Sequence, residues 1–404
     1  MKKNNYQIPL TFDSFSHEEK NAAKKVMDSG FYSMGKNVKK FEKKFAEWIG
    51  VKNAVMVNSG SSANLLLVYA LLHRYKSKSL LSEGDEVLVP ALLWPTTVWP
   101  IKQFGLKPVL VDIDLETLAI DLNAASKKIT KKTKAIFLIH VLGYAAEMVN
   151  ITRFCKKHDL VLIEDCCESL GAFYNNQSVG TFGLGGTFSH FFSHHLTTIE
   201  GGTIVTNDDD LANDLRSFRA HGWIRDRTDH DEIIEANNLA DSRWYFVLPG
   251  FNVRPTEIQG ALGLVQLKKV NKFLKDREDF LILLQKHVAN IPWLKIIGED
   301  QISKNTKYKR RHSWMNVPFL VGNKAPISCK DLILLFEKYR IETRPVITGN
   351  FLHHPAFKYL DISETFYPNT EYIHNNGFMI GSFIKPSLKI NLTLEKLFSH
   401  LKRL

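Results

Sequence analysis

Seven short apolar runs alternate with helical stretches along the first half of the sequence, and this rhythm constrains the fold more than any other feature. The runs cover residues 54–58, 86–90, 108–112, 135–140, 160–165, 186–192 and 203–206. Strands separated by helical crossovers pair in parallel, and a parallel sheet needs helices over both faces. The expected fold class is therefore α/β, with a mostly parallel central sheet. A capping box, Ser16-His17-Glu18-Glu19, opens a helix that Gly30 ends, and a second amphipathic run covers 38–48.

The pattern changes at about residue 254. A long helical stretch runs to 288 with apolar residues at Ile258, Ala261, Leu262, Val265, Leu267 and Val270, long enough to bridge two domains. Beyond it come a strand-like 314–321, a helical 330–339 and a loop-rich C-terminal part, together a smaller α+β domain. The boundary is placed so that a large domain takes 1–263 and a small one 264–404. A chain of 404 residues exceeds what one simple core organises.

Composition removes several classes of protein. No stretch approaches the ~18 to 20 uninterrupted apolar residues of a membrane span. The first residues lack a signal-like apolar region, so a cytoplasmic protein with no membrane partner is expected. Four cysteines (Cys155, Cys166, Cys167, Cys329) make no disulfide framework and no C-x-x-C zinc pair, so no metal is expected. The net charge of +11 is scattered in short runs such as Lys39-Lys40 and Lys131-Lys132. That distribution suits a solvated surface, or a field attracting a small phosphorylated substrate, better than a nucleic-acid stripe.

Three motifs can carry chemistry. Asn58-Ser59-Gly60-Ser61-Ser62-Ala63-Asn64 joins a strand to a helix, and its hydroxyls and backbone N–H groups suit a phosphate or an ordinary N-cap turn. Ile163-Glu164-Asp165-Cys166-Cys167-Glu168 ends a buried strand, where carboxylates either face a ligand crevice or cap and pair structurally. The two cysteines read as core packing. Ser189-His190-Phe191-Phe192-Ser193-His194-His195 precedes Glu200-Gly201-Gly202. Its histidines suit acid–base work better than metal, because neighbours diverge and no acidic ligand pattern accompanies them. The glycines allow close backbone approach to a ligand, or a plain loop. No lysine occurs between Lys157 and Lys268, although six arginines do.

In order, these motifs together with Gly30-Phe31-Tyr32-Ser33-Met34-Gly35, Trp94 and Gly250-Phe251-Asn252-Val253-Arg254-Pro255 resemble the DegT/DnrJ/StrS sugar aminotransferases. These are pyridoxal 5′-phosphate (PLP) enzymes of fold type I, and the resemblance spans nearly the whole chain. It departs at one place. The family's Ser-Phe-x-x-x-Lys segment supplies a Schiff-base lysine, and five residues after Ser189 this chain has His194. The lysine gap leaves no near substitute. A branch with this replacement removes the C3 hydroxyl of nucleotide-linked 4-keto-6-deoxyhexoses, and the segments around His194, Glu164 and Glu342-Thr343-Arg344-Pro345 look closest to those acting on GDP-4-keto-6-deoxymannose.

The resemblance therefore implies a 3-dehydratase that uses PLP and pyridoxamine 5′-phosphate, with L-glutamate as amino donor, in deoxysugar synthesis for polysaccharides such as lipopolysaccharide. Alternatives are an ordinary nucleotide-sugar aminotransferase and a non-catalytic binding protein. His194 would be the base, assigned over His195 by register alone. Asp165 would pair with the pyridine nitrogen, Trp94 would stack on the ring or pack in the core, and Ser61, Ser62 and Ser189 would bind the phosphate. Asn252 would assist from the second subunit of a homodimer. Glu168, in place of the family's usual glutamine, would lie beside the cofactor. His221 would meet glutamate, and Tyr32, Ser33, Met34, Gly35 and Arg225 the nucleotide sugar, each with a plain loop role as alternative. A sister branch carries a cysteine-ligated iron–sulfur cluster, and the absence of cysteine between His195 and Cys329 argues against one here.

Overall fold

The structure, a computed structural model, describes residues 6–239, 241, 243–299, 310–363, 366–383 and 385–404. Its main sheet has seven strands in the order Asn53–Val57, Gly202–Thr206, Gly185–Ser189, Val161–Asp165, Thr133–Ile139, Glu86–Pro90, Lys107–Val111. Gly202–Thr206 runs antiparallel to both neighbours, and every other pairing is parallel. Each apolar run of the sequence becomes one of these strands. The run 186–192 stops early, at Ser189, because the His190 N–H and the Gly201 carbonyl pair and close 190–201 into a loop.

Alternation along the strands builds two cores. Val55 and Val57 face one, Ala54 and Met56 the other. Helices Gly60–Leu72 and Pro95–Gln103 cover the first face through Leu66, Leu67, Val98 and Ile101, and helices Lys36–Ile49 and Met148–His158 cover the second through Phe41, Phe45, Ile151 and Cys155. The capping box at Ser16 forms as read, starting helix His17–Asp28. Among the described residues, no helix is long and apolar enough to cross a membrane.

A second capping box, Thr256 with Gln259, starts the 32-residue helix Glu257–Val288. Val270 and Leu274 pack in a core of the main sheet, whereas Phe280, Leu281, Leu284 and Val288 pack in a third core. That core covers an antiparallel sheet ordered Leu294–Ile296, Asn316–Val321, Gly377–Gly381, Thr343–Arg344. The helix thus spans both cores, and the change from one to the other falls between Leu274 and Phe280. The C-terminal part is less loop-rich than its sequence suggests. Helix Leu388–Leu401 buries Ile390, Leu394, Leu397, Phe398 and Leu401 on one face, behind an N-cap at Ser387.

Candidate functional site at the carboxyl edge of the sheet

The parallel strands end on one edge, where α/β sheets hold ligands. Asp165 ends the strand Val161–Asp165 there and is buried. Its Oδ2 accepts from Asn64 Nδ2 at 2.8 Å and from Thr97 Oγ1 at 2.7 Å, and its Oδ1 accepts from the Cys167 N–H at 3.0 Å. The Cys167 thiol also bonds this carboxylate; all of these donors are neutral, and among the described residues no cation pairs with it. A buried carboxylate held only by neutral donors is suited to a cationic partner.

Helix Gly60–Leu72 begins beside this carboxylate. Ser59 caps it, accepting from the Ser62 N–H at 3.1 Å, and the first turn directs unspent N–H groups outward. Ser61 is exposed and Ser62 half-buried. Gly60 leaves a small cradle: a Cβ there would lie 2.5 Å from Ser189 Cβ and 3.1 Å from Cys167 Sγ. Ser189 therefore ends its strand against the same turn as Ser61 and Ser62. The close approach expected of Gly202 is made to the chain itself, since its Cβ would lie 2.2 Å from the Ser59 carbonyl oxygen.

The three histidines part ways. His190 is buried between Phe41 and Phe45, bonds Thr203 Oγ1 at 2.8 Å, and is pushed down to about 3 by desolvation. His195 is buried and donates from Nε2 to the Ser313 carbonyl at 3.0 Å, with desolvation holding it well below the usual histidine range. His194 is half-buried and donates from Nδ1 to the Cys167 carbonyl at 2.7 Å. A carbonyl only accepts, so the proton resides on Nδ1 and the lone pair on Nε2. Desolvation, set against that hydrogen bond, pulls its pKa down to about 4, so the ring is neutral near pH 7.

Glu168 accepts the Leu142 N–H at 2.8 Å and is pushed up to about 7, by desolvation first and by the Asp165 charge beyond it. Trp94 caps helix Pro95–Gln103 and is 55% exposed, which rules out core packing and leaves its face open. The Leu93 carbonyl next to it accepts from Thr348 Oγ1 at 3.0 Å, so the segment 342–350 reaches this edge. Ser61, Ser62, Ser189, Asp165, Glu168, His194 and Trp94 thus share one edge.

Tyr32, Ser33, Met34, Gly35, His221, Arg225 and Asn252 belong to a second group. The Tyr32 carbonyl accepts the Glu257 N–H, Ser33 pairs with Thr256, and the Gly35 N–H donates to Glu257 Oε1 at 2.8 Å. Met34 packs against a core of the main sheet. Asn252 is exposed and accepts from Arg254 Nε at 3.0 Å, while the His221 N–H donates to the Phe251 carbonyl at 2.7 Å. The Arg225 guanidinium lies 4.1 Å over the Trp223 ring. Among the described residues, no hydrogen bond or ring contact joins this group to Asp165, Glu168 or His194. Gln259 Nε2, bonded to the Glu200 carbonyl at 2.5 Å, ties its helix to the histidine loop.

Sequence reasoning gave no role to Asn64, Thr97 or Thr187, although Asn64 closes a motif it singled out. It also took both cysteines as core packing. Cys166 is buried in a core, whereas Cys167 is half-exposed, with its thiol toward Gly60 and its backbone joining Asp165 to His194.

This sheet order, with its carboxylate and helix N-terminus at one edge and an antiparallel second unit, is the fold of the PLP-dependent aminotransferases. The chain belongs to the DegT/DnrJ/EryC1/StrS aminotransferase family, whose model matches residues 13–389. It is 38% identical to the GDP-4-keto-6-deoxy-D-mannose 3-dehydratase of Yersinia pseudotuberculosis over the full length of both chains. To the enzyme of that name from Escherichia coli O55:H7 it is 39% identical, covering 93% of this chain and 95% of the other. A crystal structure of GDP-4-keto-6-deoxymannose-3-dehydratase with a trapped PLP-glutamate geminal diamine superposes with a TM-score of 0.86 at 36% identity, covering 97% of this chain and all of that one.

Proposed function

We propose that this chain is a PLP-dependent 3-dehydratase of a GDP-linked 4-keto-6-deoxyhexose, with L-glutamate as amino donor. The products are the 4-keto-3,6-dideoxy sugar, 2-oxoglutarate and ammonia. The observation that carries this reading is His194. It stands where the family has its Schiff-base lysine, and the Cys167 carbonyl holds it with Nε2 unprotonated, on the same edge as Asp165.

The residues present suit PLP. The Gly60 cradle and the hydroxyls of Ser61, Ser62 and Ser189 fit a phosphate, Asp165 fits a protonated ring nitrogen, and exposed Trp94 offers a stacking face. When bound, PLP supplies the electron sink through which the bond to the C3 hydroxyl can be broken. His194 Nε2 takes a proton and returns it, which a neutral imidazole does near pH 7. A lysine amine could do so too, but it would also compete as a nucleophile, and histidine removes that diversion. Glu168, pushed up to about 7, can hold or release a proton beside these groups. Asn252, the segment 32–35, His221 and Arg225 complete the site from the second subunit of a homodimer.

The test incubates purified protein with PLP, L-glutamate and a panel of GDP- and other nucleotide-linked 4-keto-6-deoxy sugars, with products read by mass spectrometry. Loss of the C3 oxygen from the GDP sugar supports the reading. A product that keeps C3–OH and gains nitrogen assigns an aminotransferase instead, and no turnover of any sugar refutes both. Molar mass by light scattering tests the dimer.

A further inference from the structure

We infer that Asn64 and Thr97 are positioning residues that orient the Asp165 carboxylate for the cofactor's ring nitrogen, and that Thr187 acts behind them by fixing the Asn64 amide. The inference rests on the proposed PLP site and assigns roles to three residues outside it.

The geometry is a chain of hydrogen bonds with one direction. Thr187 Oγ1 donates to Asn64 Oδ1 at 2.6 Å, which fixes the amide so that Nδ2 faces Asp165. Asn64 Nδ2 and Thr97 Oγ1 then both donate to Asp165 Oδ2, at 2.8 and 2.7 Å. Asn64, Thr97 and Thr187 are all buried, so no solvent replaces these donors. Two donors occupy Oδ2. Oδ1 takes the Cys167 N–H, and among the described residues the only other group at this carboxylate is the Cys167 thiol, a weak donor that a ring N–H outcompetes.

Each tie also reaches a different cofactor-facing element. Asn64 belongs to the helix that starts at Gly60, and Thr97 to the first turn after Trp94, where its N–H donates to the Trp94 carbonyl at 3.0 Å. Thr187 shares a strand with Ser189, and Cys167 also holds His194. The carboxylate is therefore the common anchor of the phosphate turn, the stacking residue and the base. Hydrogen-bond donors to a carboxylate favour its charged form, the form an ion pair with a ring N–H requires. The other ionisable groups around Asp165 are Glu164, Cys166, Cys167 and Glu168 on its own segment and His194 across from it.

The test measures PLP affinity of cofactor-free protein by absorbance titration across pH, in Thr97→Val, Thr97→Ser and Thr187→Val. Losing one hydrogen bond to a charged group predicts a roughly ten- to hundredfold weaker PLP affinity in Thr97→Val. The acid-side loss of binding should also begin at higher pH than in the wild type. Thr97→Ser keeps the donor and should restore both. Thr187→Val, whose hydroxyl bonds Asn64 and the Cys167 thiol but not Asp165 itself, should show the same pH displacement in smaller measure, and it serves as the test if Thr97→Val does not fold. Unchanged affinity and pH profile in the folded valine variants, or a serine variant as weak as valine, overturns the inference. Wild-type protein that binds no PLP overturns the parent reading instead.

Discussion

The Nδ1–H of His194 donates to the carbonyl of Cys167 at 2.7 Å, and the N–H of that same residue donates to Asp165. One backbone unit thus fixes which ring nitrogen of the proposed base is free and ties that histidine to the carboxylate proposed to meet the cofactor. The geometry distinguishes His194 from His195, whose Nε2 is spent on Ser313 in the interior.

His194→Asn should keep the fold and PLP binding but lose dehydration by ~10²- to 10⁴-fold, the contribution of a general acid–base group. His194→Lys should trap PLP covalently and suppress dehydration. Steady-state rates and absorbance spectra of both variants check this. If His195→Asn abolishes turnover in a well-folded protein while His194→Asn spares it, the assignment moves by one residue.

Wild-type protein treated with PLP and borohydride should carry no pyridoxyl-lysine, because the gap from Lys157 to Lys268 leaves no amine in the histidine loop. Adding L-glutamate should shift the cofactor absorbance instead. Intact-mass analysis showing a stable reduced adduct on any lysine would contradict the first expectation, and an unchanged spectrum the second.

Gly60→Ala should weaken PLP binding by about tenfold or more. Its Cβ would lie 2.5 Å from Ser189 Cβ, which belongs to the strand end and not to a free side-chain tip, so the phosphate turn must move. PLP titration of the variant, with thermal melting to confirm its fold, decides the matter.

Glu168 gives a pH signature. Its folded-state pKa is raised from 4.5 to about 7, by desolvation first, so the folded protein favours the protonated carboxyl. The associated stability is present below about pH 4.5 and is lost as pH rises through about 7. Glu168→Gln keeps an acceptor for the Leu142 N–H and carries no charge. The variant should therefore melt higher than cofactor-free wild type at pH 8, with the difference shrinking toward pH 5. A difference in melting temperature that does not change with pH counts against the shift.

Much of the main sheet was legible because its strands are local apolar runs punctuated by capping and turn residues. The His194 substitution was legible because its register counts from Ser189. The Leu388–Leu401 helix was missed within a C-terminal part read as loop-rich, although Ile390, Leu394, Leu397 and Leu401 carry a helical period behind the Ser387 cap. The Thr187, Asn64, Asp165 and Thr97 chain could not be read from sequence. Its members lie on two strands and two helices, and only the sheet order brings their side chains together.

The long helix Glu257–Val288 fixes distances at several points. Glu257 holds the Gly35, Asn37 and Val38 N–H groups, Gln266 bonds Glu19, and buried Arg277 donates to the Trp314 and Met315 carbonyls and to Ser382. Each residue of an α-helix turns the axis by ~100°. A single inserted residue between Glu257 and Arg277 would swing the guanidinium about a quarter turn out of its nest of carbonyls. This segment therefore tolerates exchange of its solvent-facing residues but not a change of length, and codon insertions or deletions there should be purged even where point substitutions accumulate.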